Sequence, residues 1–288
     1  MWDLIMLGSG TAGYWAANLL LRRPAGSGPR RLVLVDRSPV KPNSLITCPE
    51  YRGHVGEPKC AVLARLASSW AATTTLQPVI ESVFADVRAL DWAALLNSSA
   101  CAPLVVAVVA LDDWAARLAA VEDARRAAPR CRARVFFVQI GLDRDQAQLA
   151  VYGQSLDDPC PACGMSCLPQ TEPCVVLTSR GTLLRGDLHA EACAAARLLR
   201  RIVRVELIRP GTWLNVKANL HAAADNAGRQ RWSIRIHRAA RAVGCFGAHD
   251  AAPPVAWPAF VGARANSDLP DAVARLVAGA GTHEGRPS

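Results

Sequence analysis

Four of the ten cysteines fall in one short stretch, DPCPACGMSCLPQTEPC, residues 158–174. Cys160 and Cys163 form a C-P-A-C pair followed by glycine, a spacing that lets two thiolates reach one tetrahedral zinc ion. A redox pair, a disulfide framework or a reacting thiol use the same residue type, so the stretch alone leaves all four chemistries open. A second constellation opens the chain. GSGTAG supplies Gly8, Gly10 and Gly13 as G-x-G-x-x-G, and Asp36 follows Gly13 by 23 residues. Glycines at those places permit a tight turn and bring backbone N–H groups close to a phosphate, and an acid so placed accepts hydrogen bonds from ribose hydroxyls. The pattern predicts an adenosine nucleotide without choosing among NAD, FAD and ATP. A glycine turn beside a solvated aspartate is the alternative.

Those residues need strands and helices to carry them. WDLIMLG is a short apolar run suited to a buried strand, and TAGYWAANLLLRR has helical apolar spacing. RRLVLVDR is a second apolar strand. GEPKCAVLARLASSW predicts a helix with Pro58 near its start. APLVVAVVAL predicts the next buried strand, DDWAARLAAVEDARRA a helix, and ARVFFVQIGL and AQLAVYG two more strands. Strands that are apolar throughout and alternate with helices predict an α/β fold: a Rossmann-like, doubly wound, mostly parallel sheet. A long helix around LRGDLHAEACAAARLLRRIV follows the cysteines, and VELIRPGTWLNVKA and RWSIRIHR extend the sheet as C-terminal strands, the second at an edge or in a half-exposed position. Residues 1–250 are expected to form one domain, and 251–288 an Ala/Pro/Gly-rich, loosely ordered tail.

Composition removes several function classes. The net charge is +9, yet only Lys41, Lys59 and Lys217 among the 33 basic residues are lysines, which leaves 30 arginines. That bias, with abundant alanine, reads as genomic base composition. No basic block interleaves with aromatics, so no nucleic-acid partner is expected. No run of about 18 apolar residues occurs, so no membrane span is expected. The opening MWDLIMLGSG has an acid at position 3 and no basic region, unlike a signal peptide. A cytoplasmic location follows as the expectation, and with it few structural disulfides.

The residues after Asp36 narrow the nucleotide. RSPVKPNSLITCPEYRGHVGEPK contains Asn43 and then V-G-E-P-K opening a helix, and LDDWAAR closes the L-V-V-A-V-V-A strand. In this order the motifs resemble the ThiF/MoeB family, ATP-dependent activators of ubiquitin-like proteins. That family runs from a glycine loop through D-x-D-x-V-x-x-S-N-L-x-R-Q and V-G-x-P-K to an acid five residues before an arginine. The resemblance covers roughly residues 4–200. It implies that Gly8, Gly10, Gly13, Asp36 and Asn43 bind ATP, that Lys59 neutralises phosphate charge, and that Asp112, five residues before Arg117, holds Mg²⁺. An N-terminal helix lysine in solvent and a helix N-cap are the plainer roles for Lys59 and Asp112. The sequence departs from the pattern twice: Ser38 replaces the second acid of D-x-D, and Ile46 replaces the arginine three residues after Asn43. Arg52, from the same loop, is the candidate substitute.

The same resemblance sorts the cysteines. Relatives complete a zinc site with a second C-x-x-C downstream, where this chain has Cys245 and His249. Cys160, Cys163, Cys245 and His249 would then form a Cys₃His zinc site, with Cys167 a competing fourth ligand. Cys174, eleven residues after Cys163, stands where relatives carry a nucleophilic cysteine, and a structural loop thiol is its alternative. Cys48, Cys60, Cys101, Cys131 and Cys193 read as core or incidental. The implied activity is ATP-dependent adenylation of the C-terminal glycine carboxylate of a small ubiquitin-like or sulfur-carrier protein, with possible transfer to a cysteine. An arginine donated across a two-fold interface is familiar in the family, so a homodimer or a heterodimer with a related subunit is expected. A catalytically degenerate zinc-binding partner or scaffold subunit is the second reading, and an NAD- or FAD-dependent oxidoreductase the third.

Overall fold

A computed structural model describes residues 2–22, 29–72, 77–97, 104–131, 134–143, 146–155, 158–160, 163, 212–218 and 232–238. Their organising element is an eight-stranded sheet of order β3-β2-β1-β4-β5-β6-β7-β8. The strands are β1 (Asp3–Leu7), β2 (Arg31–Val35), β3 (Val79–Val83), β4 (Leu104–Val109), β5 (Arg134–Asp143), β6 (Gln146–Tyr152), β7 (Thr212–Ala218) and β8 (Trp232–Arg238). The first five are parallel. The last three join antiparallel, and β8 is the edge, as its charged alternation predicts.

Side chains alternate across the sheet, so each apolar strand feeds two cores. Leu4 and Met6 of β1 face the helices α1 (Thr11–Leu21) and α3 (Lys59–Ala71), together with Leu32, Leu34, Val106 and Val108. Ile5 and Leu7 face the other side, where Trp92 and Leu96 of α4 (Trp92–Asn97) and Ala120, Val121 and Ala124 of α5 (Trp114–Ala127) close the second core. This is a doubly wound, Rossmann-like sheet. A short turn of helix, α2 (Ser44–Thr47), interrupts the connection from β2 to α3.

The sequence reading has no strand at 79–83. There the chain forms β3, pairing in parallel with β2 from Val79 to Val83. Its residues VIESV are mostly exposed because the strand is an edge, so the continuous apolar signal of a buried parallel strand is missing. The helix predicted after Cys174, the 250/251 boundary and the C-terminal tail lie outside the described residues. Among those residues no helix is long and apolar enough to cross a membrane.

Candidate active site

The strand order reverses between β1 and β4, and in open α/β sheets ligands lie outside the carboxyl ends of the strands at that point. The three glycines sit there and do different things. Gly8 has φ of +96°, and a Cβ on it would stand 2.5 Å from the Ala110 carbonyl oxygen. It is the tight turn between the ends of β1 and β4. A Cβ on Gly13 would stand 1.9 Å from the Gly8 oxygen, so this glycine lets α1 pack against the exit of β1. A Cβ on Gly10 would meet nothing within 4 Å. Gly10 is the N-cap of α1, whose first turn carries no acid and takes no side-chain cap. The helix therefore starts with no side-chain acceptor from its N-cap, and its first backbone N–H groups carry the positive end of its dipole.

Asp36, directly after β2, is nearly buried. Its Oδ2 accepts the Ser9 N–H at 2.7 Å and its Oδ1 accepts the Ser38 N–H at 2.7 Å. A carboxylate offers about four lone-pair sites, so each oxygen keeps one for a further donor such as a ribose hydroxyl. The Ser38 carbonyl in turn accepts the N–H of Lys59 at 3.0 Å. One run of hydrogen bonds thus joins the glycine loop, the acid after β2 and the first residue of α3. An isolated bridge between Pro39 and Pro58 closes the intervening loop, and Val40 N–H donates to the Glu57 carbonyl at 2.8 Å. Lys59 is half-buried and makes no ion pair among the described residues.

Either acid of LDDWAAR satisfies the sequence rules for a cap, and the fold separates them. Asp113 caps α5, its Oδ1 accepting the N–H groups of Ala115 at 2.8 Å and Ala116 at 3.2 Å, while Arg88 donates to its Oδ2. Asp112 is exposed, with no hydrogen bond or ion pair among the described residues. The Arg117 Nε–H donates to the carbonyl of Leu111 and so ties down the backbone immediately before Asp112.

Asn43 and Arg52 are exposed, and neither side chain is engaged among the described residues. Ile46, in the place of the expected arginine, is 42% exposed. Its neighbour Thr47 turns inward, where its hydroxyl meets that of Thr11 at 2.6 Å and its carbonyl accepts Trp15 Nε1–H. The loop is thereby stitched to the start of α1. Sequence reasoning missed the residue that completes this stitching: Tyr51, fully buried, donates its hydroxyl to the Ser9 carbonyl at 2.7 Å. Nothing in its neighbourhood in the sequence singles it out.

Cys160 and Cys163 are buried with their Sγ atoms 3.8 Å apart. Two thiolates each about 2.3 Å from a tetrahedral zinc stand about 3.8 Å from one another, so the pair has the spacing of half a zinc site. Among the described residues no group of three or more His, Cys, Asp and Glu is placed to hold a metal. Cys167, Cys174, Cys245 and His249 lie outside them. Arg125 of α5, also buried, donates to the carbonyls of Ser155 and Asp158 and anchors the segment that leads into Cys160. Desolvation lowers its pKa, and the nearby Cys160, Asp158 and Cys163 oppose that shift. Of the thiols read as core or incidental, Cys48 and Cys60 are buried and Cys131 is half-buried, while Cys101 and Cys193 lie outside the described residues; burial pushes Cys48 up to about 12, and raises Cys60 and Cys131. Alkylation of the native chain at neutral pH is expected to leave Cys48 and Cys60 unmodified, measured by peptide mass spectrometry against a denatured control.

The sheet order, the two-sided core and the glycine turn at the switch point define a Rossmann-like fold. Solved structures share it. The chain aligns with E. coli MccB in a complex with AMPCPP and MccA at a TM-score of 0.57, 15% identity and 86% coverage of this chain. E. coli MccB with ATP gives 0.54, 14% and 85%, and PaaA gives 0.50, 14% and 83%. The chain spans 66%, 65% and 64% of the lengths of those three chains. At this identity the likeness shows the fold, the one implied by the ThiF/MoeB resemblance. No protein-family profile matches the chain, and no curated protein matches it by sequence.

Proposed function

We propose that this chain is an adenylyltransferase of the ThiF/MoeB type, which activates the C-terminal carboxylate of a small carrier protein or peptide with ATP. The observation that carries the reading is the hydrogen-bonded unit of glycine loop, Asp36 and Lys59, with Asp112, which has no partner among the described residues, just beyond the end of the neighbouring strand. Related folds support it: MccB is the microcin C7 biosynthetic enzyme, solved with ATP and in a complex with N-formylated MccA.

In the proposed reaction a carboxylate oxygen attacks the α-phosphorus of ATP. A bond from that oxygen to phosphorus forms, the bond to the bridging oxygen of pyrophosphate breaks, and pyrophosphate leaves with the electron pair. The products are an acyl-adenylate and pyrophosphate. Gly10 and the first turn of α1 supply N–H donors to phosphate oxygens, and Asp36 accepts from the ribose, with Asn43 beside the nucleotide. Both reactants are anions, so Lys59 offsets charge as it builds in the transition state. Arg52, from the loop between Asp36 and Lys59, is the candidate substitute for the family's arginine in the same task. Asp112 is the residue that would hold Mg²⁺, which would supply positive charge against that of the phosphates. If a thioester forms, the Cys174 thiolate sulfur would bond to the acyl carbon of the adenylate while the bond from that carbon to the AMP oxygen breaks and AMP leaves. A ubiquitin-like or sulfur-carrier partner, and a dimer supplying an arginine in trans, belong to the same proposal.

Exchange of labelled pyrophosphate into ATP, with a candidate carrier ending in glycine, tests the reaction. Lys59→Ala is expected to lower the exchange rate on the order of a hundredfold. Exchange undiminished in Lys59→Ala would remove the site from the reading.

Zinc is proposed at Cys160, Cys163, Cys245 and His249, with Cys167 competing for the fourth place. The purified chain is expected to carry about one zinc per chain. Cys160→Ser and Cys163→Ser should each lose it, as read by elemental analysis. A metal-free wild-type chain would discard the zinc staple.

The exposed Ile46 at the arginine position favours a second reading, a nucleotide-binding or scaffold subunit whose active partner does the chemistry. Calorimetry showing no ATP binding, with stable association with an active homologue, would select it.

A further inference from the structure

We infer that Tyr51 is a positioning residue of the glycine loop: its hydroxyl fixes the Ser9–Gly10 peptide so that the Gly10 N–H faces the phosphates of a bound nucleotide. The inference rests on the nucleotide reading above and adds to it a residue outside the family's motifs.

The chain has no cis peptide bond among the described residues, and in a planar trans peptide the carbonyl and the following N–H point in opposite directions. The Ser9 carbonyl points into the core, where it accepts from the buried Tyr51 hydroxyl. The Gly10 N–H of the same peptide must therefore point outward. A Cβ built on Gly10 meets no atom within 4 Å, and the Gly10 N–H finds no acceptor among the described residues. Ser9 is held on its other side as well, because its N–H donates to Asp36. Both peptides flanking Ser9 are thus fixed in orientation, one by an acid and one by a phenol.

The opposite orientation of the second peptide would present the Ser9 oxygen to an anion. It would also take from the buried Tyr51 hydroxyl the Ser9 carbonyl to which it donates. Without the phenol, the Ser9 carbonyl is left buried with no donor among the described residues, and the preference for the outward N–H weakens. Packing alone does not require a tyrosine here. The ring meets Tyr14 edge-on, at 5.4 Å between centroids, a contact that phenylalanine makes equally well. Burial raises the Tyr51 pKa well above its ordinary value, chiefly by desolvation, so the hydroxyl keeps its proton at working pH.

The test compares ligands with and without phosphates. Calorimetry on the full chain with AMPCPP and with adenosine is expected to show roughly tenfold weaker AMPCPP binding in Tyr51→Phe. Adenosine, which has no phosphate to meet the Gly10 N–H, should bind Tyr51→Phe as it binds the wild type. A purely structural role would weaken both equally, and that result, or unchanged AMPCPP affinity, overturns the inference. Gly10→Ala gives an independent check that does not disturb the core. Its methyl enters open space, so AMPCPP should be excluded while adenosine is retained; retained AMPCPP binding also overturns the inference. A wild-type chain that binds neither ligand would instead overturn the nucleotide reading itself.

Discussion

Asp112→Ala is expected to lower ATP–pyrophosphate exchange by on the order of a hundredfold to a thousandfold while leaving the melting temperature almost unchanged. Asp113→Ala is expected to do the reverse. The two acids are adjacent, carry the same charge and begin the same helix, so sequence composition predicts the same effect for both. Their surroundings do not. Asp113 satisfies two N–H groups of the first turn of α5 and receives Arg88. Loss of an N-cap costs about 1 kcal/mol, or a fall of about 2–4 °C in a chain of this size. Asp112 is exposed and satisfies nothing within the described fold. An acid with no structural task, held at the carboxyl end of β4 by the Arg117–Leu111 contact, is placed for a ligand. Melting curves and exchange rates of the two variants decide the matter. If Asp112→Ala keeps its exchange rate, Asp112 has no part in the reaction.

Gly13→Ala is expected to be the most damaging small substitution in the glycine loop for stability. Its new methyl would stand 1.9 Å from the Gly8 oxygen, an approach that neither α1 nor β1 yields to without moving apart. Overpacking against backbone of this kind costs on the order of 3 kcal/mol or more. That is a large share of the roughly 5–15 kcal/mol by which domains are stable, and a fall in melting temperature of about 10 °C. Gly8→Ala combines a 2.5 Å approach to the Ala110 oxygen with a φ of +96°, and should also destabilise. Gly10→Ala should melt with the wild type, because its Cβ meets nothing. Thermal melts of the three alanine variants test this ordering; a Gly13→Ala chain as stable as wild type would contradict the packing described for α1 and β1.

Much of the frame is legible in the sequence because its signals are local. Apolar runs of four to eight residues ending at Gly8, Asp36 and Asp112 place three strand ends, and the helical spacing after Gly10 and Pro58 places α1 and α3. Edge strand β3 is illegible for a matching reason: a strand exposed on its outer side has no continuous apolar run to read. The sequence by itself determined which residue types are available at the site and that strand exits deliver them. Only the tertiary structure decided which of Asp112 and Asp113 is the cap, which glycine faces open space, and that Tyr51 reaches Ser9 across 42 residues of chain. Those decisions depend on where backbone N–H and carbonyl groups point once the sheet is assembled. The orientation of a peptide plane is set by partners distant in sequence, and no local pattern encodes it.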